Sequence, residues 1–193
     1  MNILGLLLGF APFILFGILA GTSVTQLEIA IAVCLAASIL IGYKDLRRGF
    51  LLSWGTLIFF VFLLISVVFL KNVWVMTHVS ILLNGSLAAI TWISLAVGRP
   101  FTEQYARLEV DKSRWDNPIF IRTNRIMTAV WGCIFLWSLG VSIFVSDDMI
   151  SRSMSPFLQY GVTLIGVLFT VRYPDMVRKK YAKYMQDEPK KAA

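Results

Sequence analysis

The segment from Arg99 to Arg125, RPFTEQYARLEVDKSRWDNPIFIRTNR, is the longest hydrophilic stretch in the interior of the chain. It carries six of the 18 lysines and arginines together with four acidic residues. Carboxylates can act as general acids and bases or hold a metal, and arginines bind phosphate groups. The spacing shows no acid–base pair and no metal cluster, so the sequence predicts no catalytic, cofactor-binding or metal-binding residue. We expect this segment to bind rather than to catalyse.

An amphipathic pattern runs through the first half of this segment. Pro100 suits the first position of a helix, and Phe101, Tyr105 and Leu108 recur at helical spacing. The pattern predicts an interfacial helix from Pro100 to Lys112, either as a lipid-resting connector or as a docking surface for a protein partner or a lipid headgroup. The candidate interaction or lipid-binding residues are Arg99, Tyr105, Arg107, Arg114, Trp115, Asn124 and Arg125.

A second polar set lies in the apolar run that precedes Arg99. Thr77, Ser80, Asn84 and Thr91 fall at i, i+3, i+7 and i+14, and so share one face of a helix. Asn84 is expected to bond another helix, because its amide would be unpaired against lipid. The set indicates either a packing seam or a polar path for a substrate or water.

Several classes of site are disfavoured by residues that the chain lacks. His78 is the single histidine, which excludes a metal site built from several histidines. Cys34 and Cys133 stand in separate apolar runs and are expected to be small buried packing residues. No charged residue lies deep inside an apolar run, which disfavours a proton-coupled carrier and a membrane hydrolase.

The elements that must position these residues follow from composition. Apolar residues make up 58% of the 193, only 15% are charged, and the mean hydropathy is +0.74, values typical of a membrane protein. We predict an all-α fold, a polytopic membrane bundle of six transmembrane helices in one domain, residues 1–173, with a basic tail at 174–193. The predicted spans are 3–20, 27–43, 50–70, 73–98, 126–145 and 157–171.

The distribution of positive charge predicts the orientation. With six spans and both termini in the cytoplasm, sixteen of the 18 lysines and arginines lie on the cytoplasmic side, and only Lys71 and Arg152 lie outside. The net charge of +7 is therefore read as a topology signal and not as a nucleic-acid footprint. We expect the bilayer's anionic headgroups to be a partner, the tail to form a short basic helix on them, and residues 189–193 to be loose.

A family resemblance rests on a spaced set of residues. Arg99-Pro100-Phe101 ends a span, a charged stretch with Trp115 follows, and Asn124 and Trp131 mark the next span. In these features the chain resembles the bacterial intracellular septation protein A family of small inner-membrane proteins. The resemblance implies an integral protein of the bacterial inner membrane, linked to cell-envelope synthesis and division through membrane partners, without catalytic residues to carry across.

The sequence thus leads to three functional hypotheses. The first is a membrane protein that acts by interaction, with a membrane-protein partner or a second copy of itself. The second is a small transporter or channel subunit, with the polar path along the fourth span. The third is a lipid-modifying enzyme at the interface, using Glu103, Asp111 or Asp116. An open, wet pocket beside Asn84 would favour transport, and a packed seam would favour interaction.

Overall fold

The chain folds into helices throughout the part that its structure, a computed structural model, describes. The backbone is described for residues 3–21 and 23–191, and the side chains for residues 5–21 and 23–181. The predicted all-α class is confirmed over these residues. The helices are α1 (Ile3–Leu19), α2 (Val24–Leu40), α3 (Tyr43–Arg47), α4 (Leu51–Leu63), α5 (Val73–Thr77), α6 (Val79–Ala96), α7 (Phe101–Ala106), α8 (Pro118–Ser146) and α9 (Ser155–Lys191).

Three segments are long and apolar enough to cross a membrane by length and composition. They are Leu51–Phe69, which is α4 continued by a π-helical turn at Leu64–Phe69, then α6, and then α8. Two further apolar helices, α1 and α2, are shorter. Three membrane-length helices among the described residues thus indicate a helical membrane protein, and the predicted number of six is not confirmed.

The fourth and fifth predicted spans have different boundaries in the structure. The fourth is interrupted at His78, whose backbone (φ −109°, ψ 19°) separates α5 from α6. The fifth begins at Pro118 instead of residue 126, because Asn117 caps the helix by accepting from the amide of Ile119, and Pro118 fits the first helical turn. As a result α8 is 29 residues long, and its first two turns lie before the apolar run begins.

The predicted sixth span and the predicted tail form one helix. Although the sequence suggested an end at residue 171, α9 continues through Pro174 to Lys191. Proline cannot donate to the carbonyl four residues earlier, so the carbonyl of Thr170 has no helical donor there. Of the predicted loose end, residues 189–191 belong to α9, and residues 192 and 193 lie outside the described residues.

Aromatic side chains form the centre of the bundle. Phe10 of α1 stacks on Trp131 of α8 at 5.4 Å and meets the edge of Phe101 at 5.8 Å. The α6–α8 pair is the most extensive helix interface, and Gly132 permits it because a Cβ there would press on the Trp92 ring. Of the two cysteines, Cys34 is buried as predicted, but Cys133 is exposed on α8.

The bundle has two chemically different ends. At one end Lys71 pairs with Glu28. At the other end α7 meets α3 and the start of α4: Asp45 of α3 interacts electrostatically with Tyr105, and Phe50, directly before α4, packs on Tyr105 at 5.0 Å. We call this second end the basic end, because α3, the linker 107–117 between α7 and α8, and residues 174–181 of α9 bring their basic side chains there.

Candidate functional site

The centre of the basic end is α7, which enters the bundle as a wedge. Phe101 and Tyr105 are both 0% exposed. The predicted interfacial helix from Pro100 to Lys112 is thus wrong in length and in surroundings: it has six residues, and its apolar side chains contact protein. Leu108, the third residue of the predicted pattern, lies beyond α7 and is exposed.

Hydrogen bonds fix the wedge to three neighbouring elements. The amide of Phe101 donates to the Ser94 hydroxyl of α6 at 3.2 Å. The hydroxyl of Thr102 lies 2.9 Å from the carbonyl of Asn124 and 2.8 Å from the hydroxyl of Thr128, both on α8. The side-chain oxygen of Gln104 accepts from the amide at the start of α4 at 2.9 Å. The orientation of α7 is therefore set by the bundle itself.

Tyr105 reaches a polar spot below the wedge. Its hydroxyl has no hydrogen-bond partner among the described residues, although Ser53 and Asp45 face it. Burial raises the pKa of Tyr105 well above its ordinary value. Burial also raises the pKa of Asp45, and the charge of Arg48, 3.6 Å away, opposes that shift. The phenol of Tyr105 therefore stays protonated, and the ionised form of the Asp45 carboxyl is disfavoured.

A buried ion pair joins the wedge to the linker 107–117. Glu103 is buried and pairs with Arg107, whose guanidinium also lies over the Trp115 ring at 4.9 Å. The indole of Trp115 donates to the carbonyl of Val110 at 3.0 Å. The Nε of Arg107 is buried without a partner. Arg107 and Trp115, both predicted candidates, are thus brought together and hold the linker in place.

Asn124 stands at the inner wall of a cavity beside the wedge. Its side chain is 2% exposed, and its Nδ2 donates to the carbonyl of Phe120 at 2.9 Å, while Oδ1 has no partner among the described residues. The cavity measures about 280 Å³ and lies between the linker, the first half of α8 and α9. Arg114 and Arg178 lie on its wall.

The remaining predicted interaction residues do not join this group. Arg99 and Arg125 are exposed, and neither lines the cavity. Of the seven candidates, the structure therefore places Tyr105, Arg107 and Trp115 around the wedge, and Arg114 and Asn124 at the cavity. The last cavity arginine, Arg178, was counted in the sequence only as part of the basic tail; its proximity to Arg114 depends on the continuation of α9 past Pro174.

The predicted polar stripe on the fourth span divides into two parts. Thr77 and Ser80 are exposed near the break at His78, whereas Asn84 and Thr91 are buried. Asn84 bonds other helices as expected: its Nδ2 lies 2.9 Å from the Ser142 hydroxyl, 3.2 Å from Oε1 of Gln159 and 3.1 Å from the carbonyl of Ser80. Around Asn84 the stripe is a hydrogen-bonded seam between α6, α8 and α9.

Sequence reasoning missed the polar partners on the neighbouring helices. Ser142 and Gln159 bond Asn84, and Thr170 accepts from the indole of Trp131 at 3.0 Å. Ser138 and Ser142, one turn apart on α8, carried a signal of a polar face in the sequence. Their partner on α6 could not be identified without knowing which helices are neighbours.

Comparison of the chain with family models, with curated proteins and with solved structures gives no match.

Proposed function

We propose that the chain is a bacterial inner-membrane protein that acts by binding a membrane-protein partner in cell-envelope synthesis or division. In this proposal six helices cross the bilayer: α1, α2, α4, α6, α8 and the apolar first half of α9. Both termini lie in the cytoplasm. The gathering of basic side chains at one end of the bundle supports this orientation, because positively charged segments are retained on the cytoplasmic side. The resemblance to the septation protein family supplies the link to the envelope.

The observation that carries the proposal is the buried wedge α7 under an exposed linker. Phe101 and Tyr105 are fully buried, so the linker 107–117 emerges from a fixed base. The pairing of Arg107 with Glu103 and with Trp115 restrains the linker further. A surface that is ordered before binding loses less conformational entropy when a partner docks. The linker is therefore suited to be a contact surface.

Transport and catalysis receive less support from the same geometry. The amide of Asn84 is used in bonds between helices, so the predicted path at this depth is filled by side chains. Of the carboxylates considered for a lipid-modifying enzyme, Glu103 is buried in an ion pair, and Asp111 accepts from the amide of Ser113 at 2.9 Å. Both carboxylates have structural partners.

Site-specific photo-crosslinking tests the proposal in living cells. A benzophenone amino acid replaces Leu108, which is exposed on the linker, and in a matched control it replaces Met149, which is exposed between α8 and α9. We expect the Leu108 variant to yield a discrete adduct with a protein of envelope synthesis or division, and the Met149 variant to lack it. Adducts with lipid alone, or identical adducts at both positions, would contradict the proposal.

A reporter fused to the C-terminus tests the orientation separately. With six spans and both termini inside, a fused cytoplasmic reporter is active, and one that needs export is inactive. The reverse pattern would overturn the orientation and leave the crosslinking result to be interpreted on its own.

A further inference from the structure

The cavity beside Asn124 has the composition of a site for an amphiphile. Its wall is mainly apolar, with Val110 of the linker, Phe120 and Met127 of α8, and Val177 of α9. Its volume of about 280 Å³ is near the lower end of the range for small-molecule sites, about 300 to 1,000 Å³. Such a cavity holds a headgroup and the beginning of a chain and leaves the rest of the chain outside.

A second cavity adjoins the first along the α8–α9 cleft. It measures about 570 Å³ and shares with the first cavity the residues Ile119, Thr123, Val177 and Tyr181. Its own wall adds the apolar Ile126 and Met176 and also the basic Arg122 and Lys180. Because the shared wall includes Ile119 and Val177, an apolar chain can pass from one cavity to the other over an apolar surface. The two adjoining cavities thus form a cleft long enough to hold an extended molecule.

Two arginines give the first cavity a positive wall. Arg114 comes from the linker and Arg178 from α9, and no acidic residue lies on that wall. Neither arginine forms an ion pair with a described carboxylate. The pKa of the nearby Asp111 is lowered mainly by hydrogen bonds from Ser113, and the charge of Arg114 adds a smaller contribution in the same direction. Paired guanidinium groups are the common protein ligand for a phosphate ester.

The buried oxygen of Asn124 specifies a second feature of the occupant. Oδ1 can only accept a hydrogen bond, and it has no donor among the described residues although the side chain is 2% exposed. Leaving such an atom unpaired costs free energy, so an unpaired one requires an explanation. Asn124 lines the cavity, but Oδ1 itself is closed to water, so a rotation of the amide is needed to bring Oδ1 to the occupant. A hydroxyl on the occupant then supplies the donor, and an apolar chain or a bare phosphate does not.

The position of the cleft along α8 indicates where the occupant comes from. A helix of 29 residues is about 44 Å long, while the hydrocarbon core is about 30 Å thick. The excess lies at the N-terminal turns, because Arg122 and Arg125 are there. The cleft therefore opens at the depth of the lipid headgroups, where basic pockets between helices bind anionic lipids.

We infer that the cleft between α8 and α9 binds one anionic phospholipid with a hydroxylated headgroup, of the phosphatidylglycerol type. Its phosphate lies between Arg114 and Arg178, a headgroup hydroxyl donates to Oδ1 of Asn124, and an acyl chain follows the second cavity. The inference rests on the membrane placement in the proposed function and is independent of the protein partner.

Native mass spectrometry of the purified full chain in detergent tests the charge requirement. The protein is offered equal amounts of phosphatidylglycerol and phosphatidylethanolamine with the same acyl chains. We expect one phosphatidylglycerol to bind at least about tenfold more tightly, and Arg114→Gln with Arg178→Gln to reduce that preference about tenfold. The matched control, Arg99→Gln with Arg125→Gln, removes the same charge from exposed positions at the same end and is expected to retain the preference.

Phosphatidylmethanol tests the hydroxyl requirement, since it carries one phosphate charge and no headgroup hydroxyl. The wild type is expected to bind phosphatidylglycerol several-fold more tightly than phosphatidylmethanol, and Asn124→Ala to bind the two equally. Free glycerol phosphate distinguishes a lipid site from a site for a soluble anion, and we expect it to displace the lipid only at far higher concentration.

Three results would overturn the inference. They are equal binding of the two natural lipids by the wild type, an equal loss in the control pair of arginine variants, and displacement by free glycerol phosphate at the concentration of the lipid. A variant that no longer unfolds cooperatively on heating would be replaced by Arg114→Lys with Arg178→Lys. That pair keeps the charge but loses the bidentate geometry, and it is expected to lower the preference for phosphatidylglycerol to a smaller extent.

Discussion

The seam around Asn84 and the wedge around Tyr105 differ in whether their buried polar atoms have hydrogen-bond partners. In the seam, Asn84 bonds both Ser142 and Gln159. Around the wedge and the adjoining cavity, three buried side-chain atoms have no partner, namely the hydroxyl of Tyr105, Nε of Arg107 and Oδ1 of Asn124, and the described residues contain no others. The amide nitrogen of Asn84 is thus paired across the seam. At the basic end these three buried atoms stay unpaired, although neighbouring groups such as Thr102 and Gln104 are hydrogen-bonded.

This difference separates stability from function within one bundle. Buried polar atoms that bond each other contribute to stability, while unpaired ones cost roughly 1–3 kcal/mol each. A chain that keeps several unpaired atoms at one end accepts that cost where water or a ligand can supply the missing partners. The seam is thus a structural feature, and the basic end is where binding is to be sought.

The largest effect on the free energy of unfolding is expected from truncating Tyr105, a fully buried side chain of the wedge α7. Tyr105→Ala empties a fully buried site and is expected to lower the free energy of unfolding by about 3–5 kcal/mol. Tyr105→Phe removes only the unpaired hydroxyl and is expected to leave stability unchanged or slightly increased. Denaturant unfolding in detergent measures both. Tyr43→Ala, at a half-exposed tyrosine on α3, is the control, and an equal loss there would mean that the wedge is not special.

A smaller effect is expected from breaking the buried ion pair. Arg107→Ala leaves the carboxylate of Glu103 buried without its partner, which costs about 3–5 kcal/mol for a fully buried pair. Because the side chain of Arg107 is 38% exposed, we expect about 2 kcal/mol after screening by solvent. Adding Glu103→Gln should restore part of the loss. If the double variant were as unstable as the sum of both single variants, the pair would not be coupled.

The seam is expected to yield a still smaller effect. Asn84→Ala removes bonds to Ser142 and Gln159, and hydrogen bonds between membrane helices contribute about 0.6 kcal/mol on average and up to about 1.7. We expect a loss of about 1 kcal/mol in the free energy of unfolding. Ser80→Ala, at an exposed position on the same helix, should change it by less than about 0.5 kcal/mol. A loss as large as that of Tyr105→Ala would remove the contrast between the two regions.

The smallest effect concerns Asp45, and it depends on pH. Burial raises the pKa of Asp45 above its ordinary value of 3.8, so the folded state disfavours the ionised carboxyl. That cost is present above the folded pKa and disappears as the pH falls below about 3.8. Asp45→Asn is therefore expected to stabilise the protein slightly at pH 7 and to make no difference near pH 3. Stabilisation that persists at pH 3 would show that the charge is not its cause.

The start of α7 was predicted from the sequence, because Pro100 stands immediately before it and a fixed φ acts locally. The start of α8 was not predicted: the apolar run suggested residue 126, whereas the capping oxygen of Asn117 and the fixed φ of Pro118 begin the helix eight residues earlier. The environment of α7 was predicted wrongly for a physical reason. An apolar stripe that fits lipid also fits a protein core, and periodicity does not distinguish the two.

The candidate site was predicted only in part. Arg114 and Asn124 were identified because an interfacial arginine and a polar residue at the start of a span suggest binding. Their common cavity depends on α9, whose passage through Pro174 runs against the local preference of proline. The break at His78 and the π-helical turn at Leu64–Phe69 likewise have no local signal that we can identify.

The unequal burial of the two cysteines has a practical consequence for chemical labelling. Maleimides react with the thiolate, which forms in water and not in hydrocarbon. Cys34 is enclosed by protein, and Cys133 lies within the apolar stretch of α8 with its exposed side toward lipid in the proposed orientation. Water-soluble reagents should therefore leave the native chain unlabelled. Single cysteines introduced elsewhere can then report which side of the bilayer each loop faces, without removing either native thiol.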